Sequence, residues 1–63
     1  MKTEIRNLEE STKFKLWNGY YRMVSELAPD LYGCFCLNED GTDDEYQDYL
    51  EIEGETIVEV VNL

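Results

Sequence analysis

The chain has no histidine, one proline, four isolated glycines and, after residue 25, no lysine or arginine. Each absence excludes something. Without histidine, the commonest general base and the commonest neutral metal ligand are missing. No Ser-His or Cys-His pair can form, and no glycine-rich loop is there to cradle a phosphate. At 63 residues and 7.4 kDa the chain makes one small domain, with roughly 4,200 Å² of surface and little room for a deep pocket. Catalysis is therefore not expected. No apolar run approaches the ~18 residues of a membrane-spanning helix. The N-terminal run Met1-Lys2-Thr3-Glu4-Ile5-Arg6 has no apolar segment of the kind that directs export. The expected location is a cytosol, with Cys34 and Cys36 reduced.

What is present points to a folded protein. Hydrophobic residues make up 43% of the chain, and five Tyr, two Phe and one Trp are too many aromatics for a disordered acidic chain. The net charge of −10 is unevenly divided. Residues 1–25 carry all five cations (Lys2, Arg6, Lys13, Lys15, Arg22) against Glu4, Glu9 and Glu10, while residues 26–63 carry twelve carboxylates and no cation. Such a chain repels nucleic acid and anionic membranes, whose binding needs a cationic face. It suits a basic protein surface, because complementary fields speed and orient association. The plainer alternative is acidity that serves solubility.

Periodicity predicts a mainly β single domain over 1–63: a five-stranded antiparallel barrel or strongly twisted sheet. Residues 1–10 form an N-terminal segment in which Ile5 and Leu8 pack on the core. Thr12 to Trp17 alternates polar and apolar, Asn18-Gly19 is a strong two-residue turn signal, and Tyr20 to Val24 returns. The 12–24 hairpin then places Trp17 opposite Tyr20, Leu16 opposite Tyr21, Lys15 opposite Arg22 and Phe14 opposite Met23. Its core face is Phe14, Leu16, Tyr21 and Met23. Residues 25–32 read as a connection broken at Pro29-Asp30, and 33–38 as an apolar central strand. Residues 38–55 form an acidic loop region. Within it Thr42-Asp43-Asp44-Glu45 matches a helix capping box, which favours a short helix near 43–50. The rival reading extends 46–52 as a strand. A β-branched strand at 56–61 closes the sheet.

The order Leu8, Phe14-Lys15-Leu16, Asn18-Gly19, Tyr21-Arg22-Met23-Val24, an apolar strand at 34–37 and Glu59-Val60-Val61 resembles the small Src-homology-3-like barrels encoded by bacteriophages and other mobile elements. The likeness covers about residues 5–61 and consists of hydrophobic and turn positions, with Ser11 where a glycine is usual. It implies a fold class and a mobile-element origin but no activity, since small barrels host many functions.

Two candidate surfaces follow. The acidic face is Glu39, Asp40, Asp43, Asp44, Glu45, Asp48, Glu51, Glu53 and Glu55. Presented on a rigid scaffold, it would imitate nucleic-acid phosphates and inhibit a basic, nucleic-acid-binding host or defence protein. In size and charge this looks like phage anti-restriction proteins and inhibitors of uracil-DNA glycosylase. The second surface is a basic-aromatic patch of Lys13, Lys15, Trp17, Tyr20 and Arg22. It is either a hairpin-stabilising cross-strand set or a site for a small nucleotide-type ligand at a subunit seam, a homodimer included. A virion or replication assembly module using a barrel edge is a further alternative. Cys34 and Cys36 lack the partners of a zinc site, and their i, i+2 strand spacing of about 6.6 Å disfavours a disulfide. They read as small hydrophobes. The acidic loop lacks calcium-hand spacing, which would put Cys36 at the first ligand position. No cofactor is expected.

Overall fold

The structure, a computed structural model, describes residues 1–17, 19–43 and 48–62. Its strands are β1 (Lys2–Glu4), β2 (Lys13–Leu16), β3 (Gly19–Ala28), β4 (Leu31–Leu37), β5 (Tyr49–Glu53) and β6 (Ile57–Val60), with a 3-10 turn at Ile5–Asn7. They form one antiparallel sheet in the order β1-β6-β2-β3-β4-β5. The domain is mainly β, as expected, but it is not a five-stranded barrel. The N-terminal segment supplies a sixth strand, and the sheet stays open with β1 and β5 at its edges. Ile5 N–H donates to the Thr56 carbonyl (2.9 Å) and Arg6 N–H to the Gly54 carbonyl (3.1 Å). The 3-10 turn thus takes the carbonyls that follow β5.

The β2–β3 hairpin differs from expectation in register. Lys13 pairs with Arg22, Phe14 with Tyr21, Lys15 with Tyr20 and Leu16 with Gly19. The pairing therefore ends at Leu16 and Gly19, with Gly19 already in β3, and Trp17 does not face Tyr20. Trp17 takes the left-handed conformation (φ 55°), and Asn18 lies outside the described residues. The slip is two residues, an even number, so no side chain changes face. Phe14, Leu16, Tyr21 and Met23 still point inward. This register stacks Phe14 on Tyr21, with centroids 5.8 Å apart. It also sets Gly19 beneath the Tyr21 ring, where a Cβ would lie 3.1–3.3 Å from it. An aromatic ring laid over a strand glycine covers backbone the glycine leaves bare.

The expected connection at 25–32 is strand and turn. β3 continues to Ala28, and Pro29-Asp30 joins it to β4 as a tight hairpin, with Ala28 opposite Leu31. Proline's fixed φ followed by the positive φ of Asp30 (62°) is the sign pattern of a type II turn. Two register shifts, at Met23/Ser25 and Glu26/Ala28, interrupt the ladder; bulges of this kind bend a strand and raise its twist. The expected strand at 33–38 is Leu31–Leu37 and lies between two neighbours, as its continuous apolar character implies. Residues 38–55 are not loop throughout. Tyr49-Leu50-Glu51-Ile52-Glu53 alternates outward and inward, and β5 pairs along β4. The expected helix near 43–50 is corrected where it can be seen. Tyr49 and Leu50 are strand, and Asp43 bridges to Leu37. Residues 44–47 lie outside the described set.

The sheet curls round one cluster of Ile5, Phe14, Leu16, Met23, Cys34, Ile52 and Val58, flanked by Leu8, Tyr21, Tyr32 and Leu50. Five of the six strands and the 3-10 turn contribute to it. The accessible surface of 4241 Å² matches the roughly 4,200 Å² expected for a compact chain of this mass.

Candidate functional site

The cations of β2 and β3 meet the acidic loop. On the outer face Lys13, Lys15, Tyr20, Arg22, Phe35 and Leu37 share one side of the sheet by register. Loop 38–43 folds back across it. Lys13 Nζ donates to the Gly41 carbonyl (2.9 Å), and Arg22 pairs with Asp43 at 3.3 Å. Leu37 faces outward by register and is nonetheless buried, because this loop covers it. The loop holds its own shape. The Thr42 hydroxyl (2.6 Å) and amide (3.0 Å) both donate to Asp40 Oδ1. The hydroxyl bond is the main cause that holds the Asp40 carboxyl below its ordinary pKa. Asn38 Nδ2 donates to the Thr42 hydroxyl and the Asp43 carbonyl, and Gly41 (φ 86°) makes the turn.

The expected basic-aromatic patch is therefore divided. Lys13 and Arg22 are engaged by the loop. Lys15 stays exposed, with its Nζ 6.0 Å from the Tyr20 ring centroid, at the outer limit of a cation–π contact. Trp17 stands apart in the turn, 71% exposed. It separates two shallow hollows. One, of about 230 Å³, is lined by Lys2, Lys15, Leu16, Trp17, Ile57, Val58 and Glu59, with Glu59 paired between Lys2 and Lys15 across neighbouring strands. The other, of about 210 Å³, is lined by Trp17, Tyr21, Cys36, Asp48, Tyr49 and Leu50. Lys2 and Tyr49 carry no local sequence signal for this site, because strand pairing alone brings them beside Lys15 and Trp17.

Of the acidic face, Glu39, Asp40, Asp43, Asp48, Glu51, Glu53 and Glu55 are all exposed; Asp44 and Glu45 lie outside the described residues. The ion pairs among the described residues are Arg6 with Glu4 and Asp30, and Arg22 with Asp43. Only Asp43 of the face is neutralised in this way. The described carboxylates come from more than one element. Glu39, Asp40 and Asp43 belong to the folded-back loop, while Glu51 and Glu53 project from β5. On that strand Tyr49 joins them on the outer side. Its ring packs edge-on to Phe35 (5.6 Å, 68°) and lies over Gly33, where any Cβ would collide with the Tyr49 hydroxyl. Burial is the main cause that raises the Tyr49 phenol above its ordinary pKa.

The free side of β5 can be assigned from its ladder. Cys36 N–H donates to the Asp48 carbonyl and Gly54 N–H to the Asp30 carbonyl, each at 2.8 Å, and both pairs share the β4–β5 register. Hydrogen-bonded and non-bonded pairs alternate along an antiparallel ladder. The Asp48 carbonyl, the peptide groups of Leu50 and Ile52 and the Gly54 N–H thus turn to β4, and Tyr49, Glu51 and Glu53 turn theirs to the open edge. The Glu53 carbonyl accepts the Thr56 amide (3.0 Å), which leaves the peptide groups of Tyr49 and Glu51 and the Glu53 N–H without a backbone partner among the described residues.

Cys34 is buried, and burial pushes its thiol up to about 12; such a thiol is inert at neutral pH. Cys36 lines the second hollow. Neither is in a disulfide, and among the described residues no group of three or more Cys, Asp or Glu converges as a metal site. No helix in the described residues is long and apolar enough to cross a membrane. Comparisons with protein-family models, with curated proteins and with solved structures return no match for the chain.

Proposed function

We propose that this chain is a small acidic binding protein that docks on, and thereby inhibits, a basic nucleic-acid-binding protein of the host cell. The observation that carries the proposal is the state of the carboxylates. All seven described members of the acidic face are exposed, and one of them, Asp43, is paired with a cation. The negative field is thus directed outward instead of being neutralised within the fold. A folded scaffold holds that field without the ordering cost of a flexible acidic tail. On β5 the Glu51 and Glu53 Cα atoms stand about 6.8 Å apart, fixed by strand geometry.

In size and charge such a protein looks like phage-type inhibitors of defence or DNA-processing enzymes, and nucleic-acid imitation is the finer form of the proposal. Engagement of Lys13 and Arg22 by loop 38–43 favours this over a nucleotide-binding patch on the hairpin. The test is capture on the tagged chain from a bacterial lysate at ~0.05 M and ~0.5 M salt, where screening differs severalfold. The expected result is a basic nucleic-acid-binding protein retained at low salt, released at high salt and displaced by a double-stranded oligonucleotide. Retention that ignores both salt and oligonucleotide refutes the proposal.

A further inference from the structure

We infer that the open edge of β5 is a strand-addition site for an extended segment of the partner that carries cationic side chains at alternate positions. The inference rests on the acidic-binding reading above and adds where and how the partner docks.

Three independent features meet on this strand. The first is backbone. Tyr49 and Glu51 each present to the same side an N–H and C=O that have no backbone partner among the described residues, and Glu53 adds an N–H. A row of this kind templates another strand. The second is charge. The residues whose peptide groups face the edge are those whose side chains stand on the outer face, so a residue of the incoming strand opposite Glu51 or Glu53 also points outward. Lys or Arg there forms a cross-strand opposite-charge pair. The third is the inner face. Leu50, half-buried and turned inward, borders the hollow of about 210 Å³ beside Trp17 and Tyr21. A residue opposite Leu50 points to that side and suits an apolar side chain. The chemistry selected is therefore a period-two segment, cationic outward and apolar inward.

The same charges argue against a second copy of the chain as occupant. Two β5 edges paired antiparallel would face carboxylates with carboxylates, which is destabilising. The other open edge, β1, is three residues long and carries both Lys2 and Glu4, so it offers neither the length nor the single sign.

The probe is a capped peptide with alternating Lys and Val (KVKVKVK). It is compared with a block isomer of the same composition (KKKKVVV) and with an analogue N-methylated on alternate residues to remove one edge of backbone donors. The expected result has three parts. The alternating peptide binds the full chain at low ionic strength. It slows hydrogen exchange at the amides of Tyr49, Glu51 and Glu53. The Glu51→Gln/Glu53→Gln double variant, whose sites are exposed and leave the core intact, loses about 2- to 30-fold in affinity, the range for two cross-strand pairs. Equal binding of the block or N-methylated peptide, or unchanged exchange at those amides, overturns strand addition while leaving the acidic-binding reading in place. Failure of every cationic peptide to bind at low salt overturns both. Concentration-dependent self-association that protects the same amides would replace the cationic segment with a second copy.

Discussion

The hairpin register makes a quantitative demand on Phe14. In the register expected from an Asn18-Gly19 turn, Phe14 lies opposite Met23. In the observed register it lies opposite Tyr21, with rings 5.8 Å apart and inclined at 23°. A stacked aromatic pair of this geometry couples by about 0.5–1.5 kcal/mol beyond its buried area. The perturbation should be gentle. A domain of this size holds roughly 3–9 kcal/mol of stability, and Phe14→Ala at a fully buried site costs about 3–5 kcal/mol, a third of that stability or more. Phe14→Leu keeps most of the volume and costs under about 1.5 kcal/mol. We therefore expect a double-mutant cycle of Phe14→Leu with Tyr21→Leu, read by urea unfolding and far-ultraviolet circular dichroism at constant m-value, to return a coupling of about 0.5–1.5 kcal/mol. A coupling below about 0.3 kcal/mol, within the additivity error for independent sites, would refute the stacking and with it the register.

Two further outcomes follow from the outer face and the core. Gly33→Ala should gain nothing in the native chain, because its Cβ displaces the Tyr49 ring. In a Tyr49→Ala background the same change should stabilise by about 0.5–1 kcal/mol, the usual strand preference for Ala over Gly; a gain in both backgrounds would show that Tyr49 does not lie over Gly33. Cys34 has its thiol raised from 9.0 to about 12, so its native form favours the protonated state. Its contribution to stability is complete below pH 9 and is lost as pH rises toward 12. The burial-raised phenol of Tyr21 acts in the same direction above its ordinary value of 10.0. Urea midpoints that fall between pH 8 and pH 10.5, with a smaller fall in Cys34→Val, would bear this out; a flat profile would not.

Much of the sheet is legible in the sequence because its inner face obeys a period of two. Phe14, Leu16, Tyr21 and Met23 are recognisable as core, and they stay so under the wrong register because the slip is even. The apolar run at Cys34 to Leu37 reads correctly as a central strand. Three features are not legible, or legible only as a rival reading, each for a physical reason. Pro29-Asp30 breaks a ladder in most settings, and only the preceding bulges and the pairing of Ala28 with Leu31 make it a hairpin turn. β5 is legible only as the rival reading of 46–52 as a strand: its outward positions hold one tyrosine and two carboxylates, so its composition resembles loop, and its alternation of Leu50 and Ile52 is a two-residue signal. The folding of loop 38–43 over Lys13 and Arg22 is a tertiary event with no local pattern behind it. For the same reason the expected basic-aromatic patch, read as one strand face, divides between a loop contact, an exposed Lys15 and a turn at Trp17.

The uneven charge has a consequence for the free protein that is opposite in sign to its consequence for a complex. The Cα radius of gyration is 10.4 Å, close to the Debye length of about 10 Å at 0.1 M ionic strength. At that salt, carboxylates on opposite sides of the molecule are largely screened from one another. At 0.01 M the screening length is about 30 Å, comparable to the longest molecular extent of 29 Å, so the whole −10 excess repels itself. Unfolding spreads that charge over a larger volume and relieves it. Raising salt from ~0.01 to ~0.1 M should therefore raise the melting temperature of the isolated chain, while the same change weakens its complex with a basic partner. Glu51→Gln/Glu53→Gln should reduce both slopes together, because the same two carboxylates repel their neighbours in the free protein and attract the partner in the complex. A variant that flattened the salt dependence of stability and left that of binding untouched would show that the partner docks elsewhere on the surface.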